Sequence, residues 1–167
     1  MSEQMERETE EGQLFAFRDS VLQILDAAIE MDGAVKGNVQ LFDPALDALR
    51  IVGQRGFDSA FLELFGVVRA DDFCVCGRSF RHKRRVVCHD ISADRLFRPY
   101  LSTTSANGVR AVQSTPVIDH DGRVRGVIST HFSEVRMLTE RAGKALDHFA
   151  SEMAALFREY YPGWYWA

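Results

Sequence analysis

The chain has 167 residues, 46% of them hydrophobic and 26% charged, which predicts one globular domain with its own core and excludes a chain that is disordered throughout. Its net charge of −4, with only one short basic run at 78–85, argues against a nucleic-acid-binding protein. No apolar stretch approaches the roughly 20 residues that span a bilayer, and the charged N-terminus is unlike a secretory signal, so we expect a cytoplasmic protein without membrane contacts.

The first third of the chain predicts a flexible start, a helix and a hairpin. Residues 1–13 are mostly charged or polar and are expected to be flexible. Apolar residues then recur at steps of three and four over 14–28, which is typical of an amphipathic helix, and this helix should end near Gly33. Two alternating segments, 37–43 and 49–55, are separated by a proline turn and predict a β-hairpin.

The middle of the chain, from 56 to 108, predicts short helices and loops. Asp58 is placed to cap a helix over 59–65. The further elements expected here are a loop (70–77), one or two helical turns (78–82), a short strand (85–90) and two short helices split by Pro99 (92–97 and 100–106).

The last third predicts a second hairpin and a long helix. Two apolar-rich runs, 110–118 and 123–132, flank an Asp-Gly turn, which is a good hairpin signal. Pro116 cannot donate to a ladder, so we expect it near a strand end or a bulge. Thr139 is placed to cap a long amphipathic helix that ends before the aromatic tail 162–167.

These elements predict an α+β domain over 14–161. The first and last helices should cover one face of a mostly antiparallel sheet, and residues 56–108 should cover the other face. The aromatic tail is expected to fold onto the domain or onto a partner, because aromatic side chains bury large areas at contacts.

The order of the elements, together with six motifs, resembles the GAF family of sensory domains. The resemblance covers roughly 14–157 and is closest to GAF modules found with bacterial sensor histidine kinases. The motifs are GNVQLFDP (37–44), LRIVGQRGF (49–57), CGRSF (76–80), VVCHDI (86–91), GVRAVQSTPV (108–117) and DGRVRGVISTHF (121–132).

The resemblance implies a PAS-like central antiparallel sheet with the terminal helices on one face and a ligand pocket on the other. It also implies a non-enzymatic, small-molecule-binding signalling module, a homodimer formed through the terminal helices, and a partner such as a histidine kinase. The alternative within the family is a dimerisation scaffold that binds no ligand.

Side-chain alternation along the strands predicts which residues face the pocket, because the helices require the apolar sets. The strand residues expected to face the pocket are Asn38, Gln40, Phe42, Val112, Ser114, Ser129 and His131. The loop residues expected to close over it are Phe57, Phe73, Cys76, Asp90, Phe97 and Tyr100. This polar and aromatic mixture suits an unidentified small molecule, and we predict no cofactor. A hydrogen-bonded core histidine is the simpler interpretation of His131.

An enzyme is one alternative. One branch of the family reduces free methionine sulfoxide with cysteines, and Cys76 lies where that branch has one of them. However, Ser105 stands near the place of its catalytic cysteine. Val112, Ser129 and His131 stand where that branch has acids that bind the substrate amine. The sequence therefore predicts no catalytic residues of this kind.

The three cysteines suggest further alternatives. Their odd number argues against a disulfide framework. Cys74, Cys76, Cys88 and His89 have poor spacing for a tetrahedral zinc site, so we predict no metal. A redox pair made by Cys76 with another cysteine stays open. The signatures of cyclic-nucleotide-binding and bilin-binding family members are absent.

Overall fold

A six-stranded sheet lies between two long terminal helices and a layer of short helices in the computed structural model, which describes residues 2–162. The helices are α1 (Ser2–Asp32), α2 (Ser59–Phe65), α3 (Val75–His82), a 3-10 helix (Arg95–Tyr100), α4 (Leu101–Ala106) and α5 (Glu140–Tyr160). The strands are β1 (Lys36–Asp43), β2 (Ala48–Arg55), β3 (Val67–Val68), β4 (Val86–Cys88), β5 (Ala111–Ile118) and β6 (Val124–Phe132).

The strands lie in the order β3-β2-β1-β6-β5-β4, and every neighbouring pair is antiparallel. Both predicted hairpins, β1–β2 and β5–β6, are confirmed, and Gly122 takes the positive φ of 78° that its turn requires. β4 pairs with β5 only as far as Ser114, so Pro116 has a ladder partner on one side only, Val127 of β6. A register shift follows directly at Val117, so Pro116 lies near a bulge as expected.

The helices α1 and α5 cover one face of the sheet, as predicted. Thr139 caps α5 by accepting a hydrogen bond from the backbone of Ala142. The core on this face joins residues of both helices, such as Leu25 and Met153, to Val39 and Ile128 of the sheet. Each fully buried side chain of this kind contributes about 1.5–3 kcal/mol. The two helices are thereby held firmly against the sheet.

The opposite face is covered by the short-helix layer, which we define as α2, α3, the 3-10 helix, α4 and their connections. A second core forms here from Phe61, Ile91, Phe97 and other apolar side chains against Val112 and Val127 of the sheet. Asp58 caps α2 by accepting from the backbone N–H of Phe61 at 2.9 Å, which confirms the predicted cap.

Three local expectations were wrong. Helix α1 begins at Ser2 rather than at Leu14, and residues 3–16 are all exposed; the flexibility expected for 1–13 stays a prediction. Helix α3 begins at Val75, inside the expected loop, because Cys74 already has the extended conformation of an N-cap. Pro99 lies inside the 3-10 helix instead of separating two helices, since its fixed φ is compatible with a 3-10 turn.

The end of α5 lies beside Phe17, the first residue of α1 that belongs to the core. The rings of Tyr160 and Tyr161 lie 5.4 and 5.2 Å from that of Phe17. The aromatic tail beyond Pro162 falls outside the described residues, so its predicted docking stays a prediction. Within residues 2–162, no helix has the length and apolar character that a membrane span requires.

Candidate functional site

A small internal cavity lies between the sheet and the short-helix layer. Its volume is about 20 Å³, which is room for a single water molecule. Its lining residues come from three strands and from four segments of the layer: Asn38, Phe61, Phe65, Cys74, Val75, Cys76, Phe97, Thr104, Val112, Ser114, Ser129 and His131. We call this the central cavity.

The floor of the central cavity is polar because alternate residues of β1, β5 and β6 point to this face. Asn38 pairs in register with Ser129, and Ser129 pairs with Ser114 across the next ladder. The two serine hydroxyl oxygens are 2.7 Å apart and share a hydrogen bond. Val112 is opposite His131 in the same ladder. The pleat therefore places these side chains on one surface.

The roof is aromatic. Phe61 and Phe65 are four residues apart in α2, so both rings point to the same side of the helix. Phe57 stacks on Phe61 with ring centroids 3.7 Å apart and meets the ring of His131 edge-on at 4.8 Å. Asn107 Nδ2 donates to the carboxylate of Asp58 at 3.1 Å, which ties the start of α2 to the end of α4.

Several polar atoms around the central cavity have no hydrogen-bond partner within the described residues. They are Asn38 Oδ1, Gln40 Oε1, Thr104 Oγ1 and His131 Nδ1. Leaving such a group buried and unpaired costs about 1–3 kcal/mol. Three of these atoms, those of Asn38, Thr104 and His131, belong to lining residues, and they mark a place where a molecule with complementary donors and acceptors would be stabilised.

The central cavity is electrically neutral. Burial lowers the pKa of His131 to about 3, the charge of Lys36 acts in the same direction, and a hydrogen bond with the Lys36 backbone opposes them. The imidazole is therefore uncharged near neutral pH, with one nitrogen to donate and one to accept. None of the lining residues is Asp, Glu, Lys or Arg.

Most of the predicted pocket residues meet at this place. Those that line the central cavity are Asn38, Cys76, Phe97, Val112, Ser114, Ser129 and His131. Gln40, Phe57 and Tyr100 lie directly behind the lining. Gln40 Nε2 donates to the carbonyl of Phe65 at 3.5 Å, and the Tyr100 ring lies 5.6 Å from that of Phe65.

The structure does not bring the other three predicted residues to the cavity. Phe42 packs against Phe80 and lines a neighbouring groove. Phe73 is 46% exposed. The Asp90 carboxylate accepts from the backbone and hydroxyl groups of Ser92 and is 3.6 Å from Arg110. Asp90 therefore organises a turn at the surface.

Sequence reasoning missed five lining residues: Phe61, Phe65, Cys74, Val75 and Thr104. Phe61 and Phe65 are four residues apart in a helix with a predicted cap, and this spacing could have predicted that both rings lie on the same helix face. The others follow from where α3 begins and how α4 is oriented, and their local sequence carries no such period.

Larger grooves lie elsewhere in the described residues. One of about 540 Å³ runs between α1 and β2, and one of about 400 Å³ lies beside the β1–β2 hairpin and the end of α3. In the part of the chain that the structure describes, no group of three or more His, Cys, Asp or Glu side chains is arranged to hold a metal ion.

A model of the GAF domain family matches residues 17–158. A GAF domain region from Geobacter sulfurreducens PCA has a TM-score of 0.75 at 14% identity, with 90% of this chain and 98% of that chain covered. For a domain of a protein described as a two-component sensor histidine kinase from Sinorhizobium meliloti 1021, the TM-score is 0.66 at 14% identity, with 84% and 90% covered. The type II free methionine-R-sulfoxide reductase from Thermoplasma acidophilum has a TM-score of 0.72 at 14% identity, with 88% and 95% covered. Among curated proteins, none matches this sequence.

Proposed function

The chain belongs to the GAF domain family, and we propose that it is a non-enzymatic sensory module whose small-molecule ligand binds at the central cavity. GAF domains generally act as small-molecule-binding sensory modules. The observation that carries the proposal for this chain is the set of unpartnered polar atoms of Asn38, Thr104 and His131 around one cavity. A ligand that pairs with them recovers a cost that the protein otherwise bears.

The lining defines the chemistry of the ligand. It offers hydroxyl, amide and neutral imidazole groups on the floor and the rings of Phe61, Phe65 and Phe97 on the roof. Because no charged side chain lines the cavity, an ion would lose its hydration without gaining a counter-charge. The expected ligand is a neutral molecule with an apolar body and two or three polar groups on one edge.

Binding requires the short-helix layer to move. Ligand pockets commonly have volumes of about 300–1,000 Å³, against about 20 Å³ for the central cavity. The sheet is held by the α1–α5 core, so the layer moves most and the strands shift only slightly. A ligand then shifts the equilibrium towards the expanded state, by an amount set by how much more tightly it binds that state than the closed one.

Asp32 supplies a route from the cavity to α1. It is the last residue of α1, and its carboxylate accepts from Thr130 Oγ1 at 2.6 Å and from Gln113 Nε2 at 3.2 Å. Thr130 and Gln113 are the strand neighbours of the cavity residues Ser129 and Val112, on the opposite face. Strand shifts that a ligand causes would therefore reach the end of α1.

We propose that the output is a change in a dimer built through the terminal helices. Residues 3–16 of α1 extend as an exposed helix that includes Leu14 and Phe15. A helix of this length is marginal in water without a packing surface, which a second copy would provide. A signalling protein such as a histidine kinase is the proposed downstream partner.

The reductase alternative receives no support from the lining. Val112, Ser129 and His131 offer no carboxylate for a substrate amine, and Ser105 is exposed on α4. The likeness to the Thermoplasma enzyme is therefore a likeness of fold.

Native mass spectrometry of the purified protein, beside the same sample denatured, tests the sensory proposal. We expect a retained neutral molecule, or one that is found by thermal shift with a panel of neutral metabolites. Ser129→Leu fills the cavity and should abolish binding. Thr115→Val changes a buried residue of β5 that faces α5 and should leave binding unchanged. A dimer that no molecule in the panel stabilises, or equal binding by both variants, would contradict the proposal and favour a ligand-free scaffold.

A further inference from the structure

Two buried thiols face each other in the wall of the central cavity. Cys74 is the N-cap of α3, and Cys76 is the second residue of that helix. Their Sγ atoms are 3.5 Å apart, and both side chains are buried. A disulfide has an S–S length of about 2.05 Å, so the sulfurs would need to approach by about 1.5 Å. The extended backbone at Cys74 brings the two side chains to one side of the chain.

The two thiols have different environments. The hydrogen bond from the Cys74 thiol lowers the pKa of Cys76, burial opposes this effect, and the Gln40 amide and the Gly77 backbone N–H lower the pKa further. The same interaction raises the pKa of Cys74, and burial adds to the rise. Cys76 is thus the more acidic of the two thiols, and Cys74 holds its proton more firmly.

We propose that Cys74 and Cys76 form a redox pair that hydrogen peroxide oxidises to an intramolecular disulfide. Cys76 gives up its proton and its sulfur attacks one peroxide oxygen. The O–O bond breaks, and the departing hydroxide takes up that proton, so the products are a sulfenic acid at Cys76 and water. The Cys74 sulfur then attacks the Cys76 sulfur, and the second oxygen leaves as water with the Cys74 proton. Two thiols lose two electrons, and one peroxide becomes two waters.

Cys74 and Cys76 both line the central cavity, so the attacked oxygen of a small peroxide would approach the thiols from that space. Oxidation would also affect the roof. Gln40, which donates to the Cys76 sulfur, also donates to the carbonyl of Phe65 at the end of α2. The proposal goes beyond ligand sensing and does not require that a ligand bind.

Cys88 serves as the internal control. It is buried like the other two, but burial and then the charge of Asp94 raise its pKa to about 11. A thiol of this kind stays protonated and is a poor nucleophile. We expect Cys88 to remain reduced under conditions that oxidise the pair.

The test is peptide mapping of the full chain after treatment with one equivalent of hydrogen peroxide, with free thiols then alkylated under denaturing conditions. Trypsin separates the thiols, because Cys74 and Cys76 fall in the peptide 70–78 and Cys88 falls in 86–95. The expected result is a 70–78 peptide that has lost two hydrogen atoms and carries no label, beside a fully labelled 86–95 peptide. Dithiothreitol should restore labelling of 70–78.

Variants separate the steps. Cys76→Ser should slow peroxide-dependent thiol loss at least tenfold, Cys74→Ser should leave a sulfenic acid at Cys76, and Cys88→Ser should match the wild type. Equal oxidation of the two peptides, or disulfides between chains on a non-reducing gel, would overturn the proposal. The mapping needs no variant and is blind to bound ligand, so its failure leaves the sensory proposal standing, and the converse also holds.

Discussion

His131 combines a polar side chain with complete burial, and its protonation is therefore coupled to folding. The folded protein holds its pKa at about 3, mainly through burial, against an ordinary value of 6.5. Between these values the unfolded chain binds a proton that the folded chain does not. The free energy of unfolding must therefore fall as the pH drops from 6.5 towards 3, by about 1.4 kcal/mol per unit.

Replacement of this residue tests the coupling. Between pH 7.5 and 5.5 the wild type should lose about 1.4 kcal/mol more stability to urea than His131→Gln, which has no titrating group there. His82→Gln, a change at an exposed histidine, should keep the wild-type pH dependence. Identical pH dependence in wild type and His131→Gln would show that the native state accepts the proton.

At the scale of the elements, the β1–β6 pair packs against α5 so closely that Gly126 of β6 has no room for a side chain. A Cβ on Gly126 of β6 would lie 2.2 Å from the carbonyl oxygen of Gln40 in β1 and 2.8 Å from the Phe157 ring. The first contact is with backbone, which cannot move without breaking the β1–β6 ladder. At Gly12 of α1, a Cβ meets nothing within 4 Å.

The two glycines form a matched pair. Gly126→Ala should destabilise the domain by about 3 kcal/mol through overpacking. Gly12→Ala should leave the fold intact and raise the helix content of α1, since alanine is favoured over glycine by about 1 kcal/mol in a helix. Urea unfolding followed by circular dichroism measures both effects. A loss of less than 1 kcal/mol in Gly126→Ala would mean that the sheet yields more easily than the contacts imply.

At the scale of the whole molecule, the exposed start of α1 separates folding from association. Residues 3–16 are exposed, and the α1–α5 core begins at Phe17. Deleting residues 2–13 should therefore leave the melting temperature of the single chain unchanged. If a second copy packs on this segment, sedimentation should show a dimer that dissociates at least tenfold more readily in the truncated protein. The same mass for both proteins at every concentration would place any dimer contact elsewhere.

Local periodicity was enough to predict much of this architecture. Alternation along β1, β5 and β6 assigned Asn38, Ser114 and Ser129 to the cavity face, because successive side chains of a strand point to opposite faces of the sheet. The caps at Asp58 and Thr139 were visible for a similar reason, since a helix start leaves backbone donors that nearby side chains satisfy. The sheet, the faces of the terminal helices and the floor of the site follow from such signals.

Only the tertiary structure determined which residues form the roof, how small the cavity is and which of its polar groups are paired. Asp32 meets Gln113 and Thr130 across 81 and 98 residues of sequence, and no local pattern carries that contact. Phe73 and Asp90 were misplaced for the same reason, because loop side chains have no period that links them to a face. Short-range sterics thus determined the elements and their faces. The layer over the cavity depends on packing between distant segments, which a single sequence does not display.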